Sequence, residues 1–268
     1  MAVEEHSQDI GSIILHHVSN SDVLVQLPPL FGLDISITKH VLMLWLAGAL
    51  VTAGFLLGSR RYRTQENPVP SGFSNFLEFI VDFVHNQIVV PHIGAAHARS
   101  WSPLILTFFT LIVTANLLGL VPFFDLIPGG GTATANLNVT ASLATITFLA
   151  IIVAGSRVHG VFGHWRNMAP PGIAWPVLFI LIPIELLSMF VRPFALTMRL
   201  AANMTAGHIA MLAILAPIFL MANAWIGLGS VALNVGISFL EIIVSLVQAY
   251  VFSLLSAVFI GAAINPQH

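Results

Sequence analysis

Seven polar side chains interrupt the apolar second half of this chain at spacings that could pass a proton: Glu185, Arg192, Arg199, Asn203 and His208, then Glu241 and Gln248. Carboxylates and an imidazole can each take up and release a proton, whereas the Arg199 guanidinium keeps its charge at any physiological pH. Glu185, Arg192 and Arg199 recur every seven residues, which returns to nearly the same helix face at about 3.6 residues per turn. Asn203, four after Arg199, shares that face, and His208, nine after it, points to roughly the opposite side. Glu241 and Gln248 are again seven apart and on one face. Together they make a layered ladder of titratable groups with one fixed cation among them. Such a set needs elements that hold it in an apolar medium.

The composition supplies that medium. Of 268 residues, 57% are hydrophobic and 7% charged, with a mean hydropathy of +0.93. Soluble domains carry about 25% charged residues, so the chain reads as an all-α integral membrane protein. A charge at mid-bilayer costs about 2.5–3.5 kcal/mol on insertion scales and usually marks a pathway, which singles out Arg199. The absence of cysteine excludes disulfides, thiolate metal sites and cysteine nucleophiles. Lys39 is the sole lysine, so the glycines of "PGGGTATAN" (128–136) are not followed by the lysine of a phosphate loop. Nucleotide chemistry would therefore belong to a partner. No cofactor or metal is expected, since haem would need paired intramembrane histidines and only His208 is well placed. Asn138 and Asn203 match the glycosylation pattern by chance, as each falls at or within a span.

The elements follow from the apolar runs. Residues 1–39 are acidic (Glu4, Glu5, Asp9, Asp22, Asp34) and read as an extracytoplasmic tail or short surface helix; "MAVEEHSQDI" lacks the basic start of a signal peptide. A single membrane domain is expected over 40–264. It has spans at about 40–58, 103–121 and 138–155, each near the ~20 residues that a bilayer requires. Over 72–90, Phe73, Phe76, Leu77, Ile80, Val84 and Ile88 take one helix face while Asn75, Glu78, Asp82 and Asn86 lie off it. That pattern describes an amphipathic helix in the membrane interface. With that helix on one surface, Arg60, Arg61, Arg63, Arg99, Arg157 and Arg166 all share a side, which the positive-inside rule makes cytoplasmic. The N-terminus and the 122–137 loop then face outward and the C-terminus inward.

Residues 172–221 and 228–264 read as a hairpin of two long helices, broken around "MANAWIGLG" (221–229). They exceed the usual span and should be strongly tilted. Folding them about that turn sets His208 level with Glu241, and Arg199 level with Gln248, because each pair is equidistant from residue 223 to 225. Asn203 and Gln248 could equally be interhelical glue. A secondary ion-coupled transporter is the alternative reading, although it predicts duplicated, inverted halves, and none are visible.

At "MRLAANMTAGH" (198–208) the chain resembles subunit a of the F-type rotary ATP synthase, the membrane stator that passes ions to a turning ring of c subunits. The family's R-L-x-x-N-M-x-x-G pattern is met by Arg199, Leu200, Asn203, Met204 and Gly207, and "SLVQAYVF" (245–252) looks like its second stator helix, with Gln248 as its glutamine. "NLLGLVP" (116–122) and "NLNVT" (136–140) resemble its central hairpin. The resemblance implies a proton-conducting Fo subunit with no catalysis of its own. Its partners would be a c-ring, the subunit b peripheral stalk and the other synthase subunits, in a bacterial inner membrane. It makes Arg199 the stator arginine facing a ring carboxylate, with Glu185 and Arg192 on the inner side, and His208 and Glu241 lining an outer half-channel. The histidine precedes the acid here, the reverse of some bacterial members, an exchange that a pair at one depth should tolerate. Asn136 stands where many members have aspartate, which puts a carboxylate role there in doubt.

Overall fold

The computed structural model describes residues 23–26, 28, 36–64, 69, 71–121, 132–160, 162–163, 175–221 and 224–265. Most of the N-terminal tail, most of the 122–137 loop, Arg166 and His164 lie outside the described residues. Val23–Val25 (β1) pairs antiparallel with Ile37–Thr38 (β2). This is an extended ribbon where the sequence reading has a tail or surface helix. The four paired residues, Val23, Val25, Ile37 and Thr38, are all β-branched, and such side chains favour extended backbone.

Everything else regular among the described residues is helical. The long helices are α1 (Lys39–Thr64), α4 (Ala95–Gly119), α5 (Leu137–His159), α6 (Trp175–Met221) and α7 (Ala224–Ile264). Between α1 and α4 come α2 (Phe73–Asp82), a wide π-helical turn Phe83–Val89, and α3 (Val90–Ile93). Five of these helices are long and apolar enough to cross a membrane, so the chain is an all-α, multi-pass membrane protein. At ~1.5 Å per residue the 47 residues of α6 extend about 70 Å, more than twice a ~30 Å hydrocarbon core. That helix cannot stand upright within the core. Helix α4 begins eight residues before the expected span because it continues through Pro103, and apolar helices tolerate proline where neighbouring groups re-satisfy the backbone. Asn136 Oδ1 accepts the amide of Asn138 at 2.9 Å, an N-terminal cap for α5 that asparagine performs as well as aspartate.

The described residues fall into two compact units, each drawing a stretch from every long helix. The first holds residues up to Gly48, Ile112–Val139 and Arg199–Gln248, around a core that includes Ile112, Leu200 and Met204. The second holds Ala49–Leu111, Thr140–Met198 and Ala249 onward. Its mainly aliphatic core includes Phe108, edge-on to Phe252 at 5.4 Å, and beside it Phe83 lies within 6.0 Å of both Phe109 and Tyr250. The apolar stripe expected on the amphipathic segment divides here. Val84 and Ile88 are buried, whereas Phe73 and Phe76 are exposed, as is Phe79. His85 and His92 are half-buried and hydrogen-bonded, His85 to Ser102 (2.7 Å) and His92 to the Ile88 carbonyl (2.8 Å). His159 ends α5 and bonds the Ile264 carbonyl at 2.9 Å.

Helix α7 meets α3 through Gly261, where a Cβ would strike the His92 carbonyl and come 2.8 Å from its carbon. Backbone cannot yield as a side chain does. Gly261→Val is therefore expected to destabilise the folded chain by about 1–3 kcal/mol, the usual penalty of overpacking. Thermal unfolding of the detergent-solubilised protein would check this, and an unchanged midpoint would show the contact to be slack.

Candidate functional site

Within the first unit, α6 and α7 run antiparallel and touch at successive levels. Asn203 Nδ2 donates to Gln248 Oε1 at 3.3 Å. A Cβ on Gly207 would run into the carboxylate of Glu241, so that carboxylate lies directly over the Gly207 backbone. One turn further, Ser238 Oγ donates to Met211 Sδ at 3.6 Å. Each contact steps four residues along α6, the advance of one helical turn. Glycine at 207 is what lets the second helix bring a carboxylate this close.

The register differs slightly from the sequence reading. Gln248 bonds Asn203 rather than standing opposite Arg199, which lies one turn away on the same face of α6. Gln248 is buried, while Arg199 and Asn203 are exposed. Among the described residues Arg199 makes no hydrogen bond or ion pair. Glu241 is 3% exposed, and among the described residues neither carboxylate oxygen has a hydrogen-bond partner. His208, the residue after Gly207, is half-buried and bonded through Nε2 to the hydroxyl of Thr132. The structure thus brings His208 and Glu241 to neighbouring positions without a direct bond between them.

Glu185 and Arg192 belong to the second unit, where they form an ion pair at 3.5 Å. Arg192 also lies over the Phe259 ring, 5.5 Å from its centroid. The seven-residue spacing did place them on one face. What it could not show is that Arg192 is occupied by its own chain, in contrast to Arg199.

Several site residues escaped the sequence reading. The buried amide of Asn116 accepts the Thr134 hydroxyl and donates to the Ser245 carbonyl at 3.4 Å. Thr205 donates to the Ala135 carbonyl at 3.2 Å. On α7, Ser230, Asn234, Ser238, Glu241, Ser245 and Gln248 recur every three or four residues, a one-face polar stripe that helical periodicity alone could have found. No such signal marks Thr132, which precedes a 3₁₀ turn (Ala133–Ala135) in a glycine-rich stretch. Among the described residues no cluster of histidines and acids could hold a metal.

A long apolar hairpin that carries an exposed, unpaired arginine one turn from an Asn–Gln bridge is specific enough to set beside known proteins. The model of the ATP synthase A chain family matches residues 41–261. The chain belongs to that family. It is 40% identical to ATP synthase subunit a 2 of Prosthecochloris aestuarii over 96% of this chain and 80% of that one. It is 39% identical to ATP synthase subunit a of Anaeromyxobacter dehalogenans (strain 2CP-1), over 97% and 71% of the two chains. Similarity to ATP synthase subunit a of Chloroherpeton thalassium reaches 42% over 87% and 68%. As a subunit a of the F-type ATP synthase, the chain works beside the other subunits of that complex in a membrane.

Proposed function

We propose that the chain is the proton-conducting stator of the Fo sector, and that the exposed, unpaired Arg199 is the observation carrying this reading. In this account residues 40–264 form one membrane domain anchored by the interfacial helix. The N-terminal tail faces outward and the C-terminus faces the cytoplasm of a bacterial cell. Arg199 faces the carboxylate of a c-ring, and subunit b holds the stator still. A proton enters from outside past Glu241 and His208 and neutralises a ring carboxylate, which can then turn into lipid. After nearly a full rotation it leaves by a second, offset half-channel near Glu185 and Arg192. Asn203 and Gln248, hydrogen-bonded at 3.3 Å, fix the spacing of the two helices beside the arginine. Arg199 favours an ionised ring carboxylate at the stator, as a nearby cation must, and repels protons from the direct route between channels.

The assembly test is co-purification: a c-ring and subunit b should isolate with the chain, while a transporter would be active alone. The path test uses the intact complex in proteoliposomes. His208→Ala is expected to slow proton flux through Fo by roughly a hundred-fold, the lower end of what a positioned proton-transfer group contributes. Wild-type flux would return His208 to a packing role.

A further inference from the structure

The 3₁₀ turn after Thr132 is held at four points within the first unit. Thr134 bonds Asn116, the Ala135 carbonyl accepts from Thr205, and Thr132 bonds His208 Nε2. The fourth point is the Thr132 backbone, which lies against Gly119 so closely that a Cβ there would come 2.7 Å from the Thr132 Cα. Thr132, Ala133 and Thr134 are all buried. Of the three side-chain hydroxyls in this set, those of Thr134 and Thr205 meet amide or backbone oxygens. That of Thr132 alone meets a titratable ring.

We infer that Thr132 is a positioning residue for His208, seated by the bare backbone of Gly119, and that its hydroxyl keeps the imidazole oriented while a proton comes and goes. A hydroxyl suits this task because it both donates and accepts. It can donate to an unprotonated Nε2 and accept from a protonated one, so the ring need not swing when its charge changes. A carboxylate in the same seat would favour the imidazolium and trap the proton. Glu241 lies over the backbone of Gly207, the residue before His208, and among the described residues neither of its oxygens is hydrogen-bonded to Thr132. The inference rests on His208 belonging to the proton path.

The test measures proton flux through the intact complex in proteoliposomes, with assembled complex quantified for every variant. Thr132→Val keeps the shape and removes the hydroxyl, and is expected to lower flux roughly two- to ten-fold, the weight of one neutral hydrogen bond. Thr132→Ser restores the hydroxyl and should return flux to near the wild-type level. Gly119→Ala should imitate Thr132→Val by pushing the hydroxyl off the ring. In a His208→Ala background, Thr132→Val should add nothing. An unaffected Thr132→Val beside a slowed His208→Ala overturns this inference and leaves the function standing, as does a Thr132→Ser variant no faster than the valine. Wild-type flux in His208→Ala would withdraw the histidine, and Thr132's role with it.

Discussion

Replacing Arg199 with alanine is expected to abolish ATP synthesis in energised vesicles while leaving the amount of assembled complex unchanged. Arg199 contacts no acid of its own chain among the described residues and is exposed on α6. Deleting it therefore breaks no internal bond. It should slightly ease insertion, since a guanidinium at membrane depth costs about 2.5–3.5 kcal/mol. A residue retained against that penalty has its partner elsewhere. Without the cation, a ring acid at the stator has nothing to favour its ionised form, and protons can cross between the half-channels. Each proton that slips forfeits ~2.3 kcal/mol per 100 mV of membrane potential. Wild-type synthesis in Arg199→Ala would end the account, whereas lost assembly would make the residue structural.

The contrast between Arg199 and Arg192 marks the limit of what spacing can tell. Both stand seven residues from a neighbouring charge on one helix, and nothing in their local sequence says which is satisfied. In three dimensions Arg192 has Glu185 and the Phe259 ring, residues that a helix reading can place on a face but not against each other. The hairpin itself was legible, because its polar residues sit equidistant from a break and antiparallel helices advance at equal rise. The register came out within one turn, and a turn is enough to exchange the partner of Gln248 from Arg199 to Asn203. The π-helical turn at Phe83–Val89 and the ribbon at β1 and β2 were not visible. Neither depends on a pattern of period 3.6; each is settled by what packs against it. Thr132 was hidden for a related reason, since a hydroxyl in a glycine-rich stretch acquires meaning only when His208, far along the chain, arrives beside it.

Glu241→Leu offers the second large effect, with two readouts that should move apart. Glu241 is buried, and among the described residues neither of its oxygens is hydrogen-bonded. An unsatisfied buried polar group costs about 1–3 kcal/mol, and replacement by an apolar group of similar shape is often neutral or stabilising. On packing grounds leucine should do as well as glutamate or better, so assembled complex should hold steady or its thermal midpoint rise. ATP-driven proton pumping should instead fall by about a hundred-fold, the lower end of the range that a proton-transfer group supplies, because leucine has no proton to hand on. Glu241→Gln separates charge from hydrogen bonding: it keeps a polar group beside Gly207 yet cannot titrate, and its pumping should be as poor as that of the leucine variant. If Glu241→Leu pumped normally, the carboxyl would be mere interhelical filling and the outer path would have to run elsewhere. If complex were lost along with pumping, the stability argument would fail first, since it requires that nothing in the fold depends on this acid.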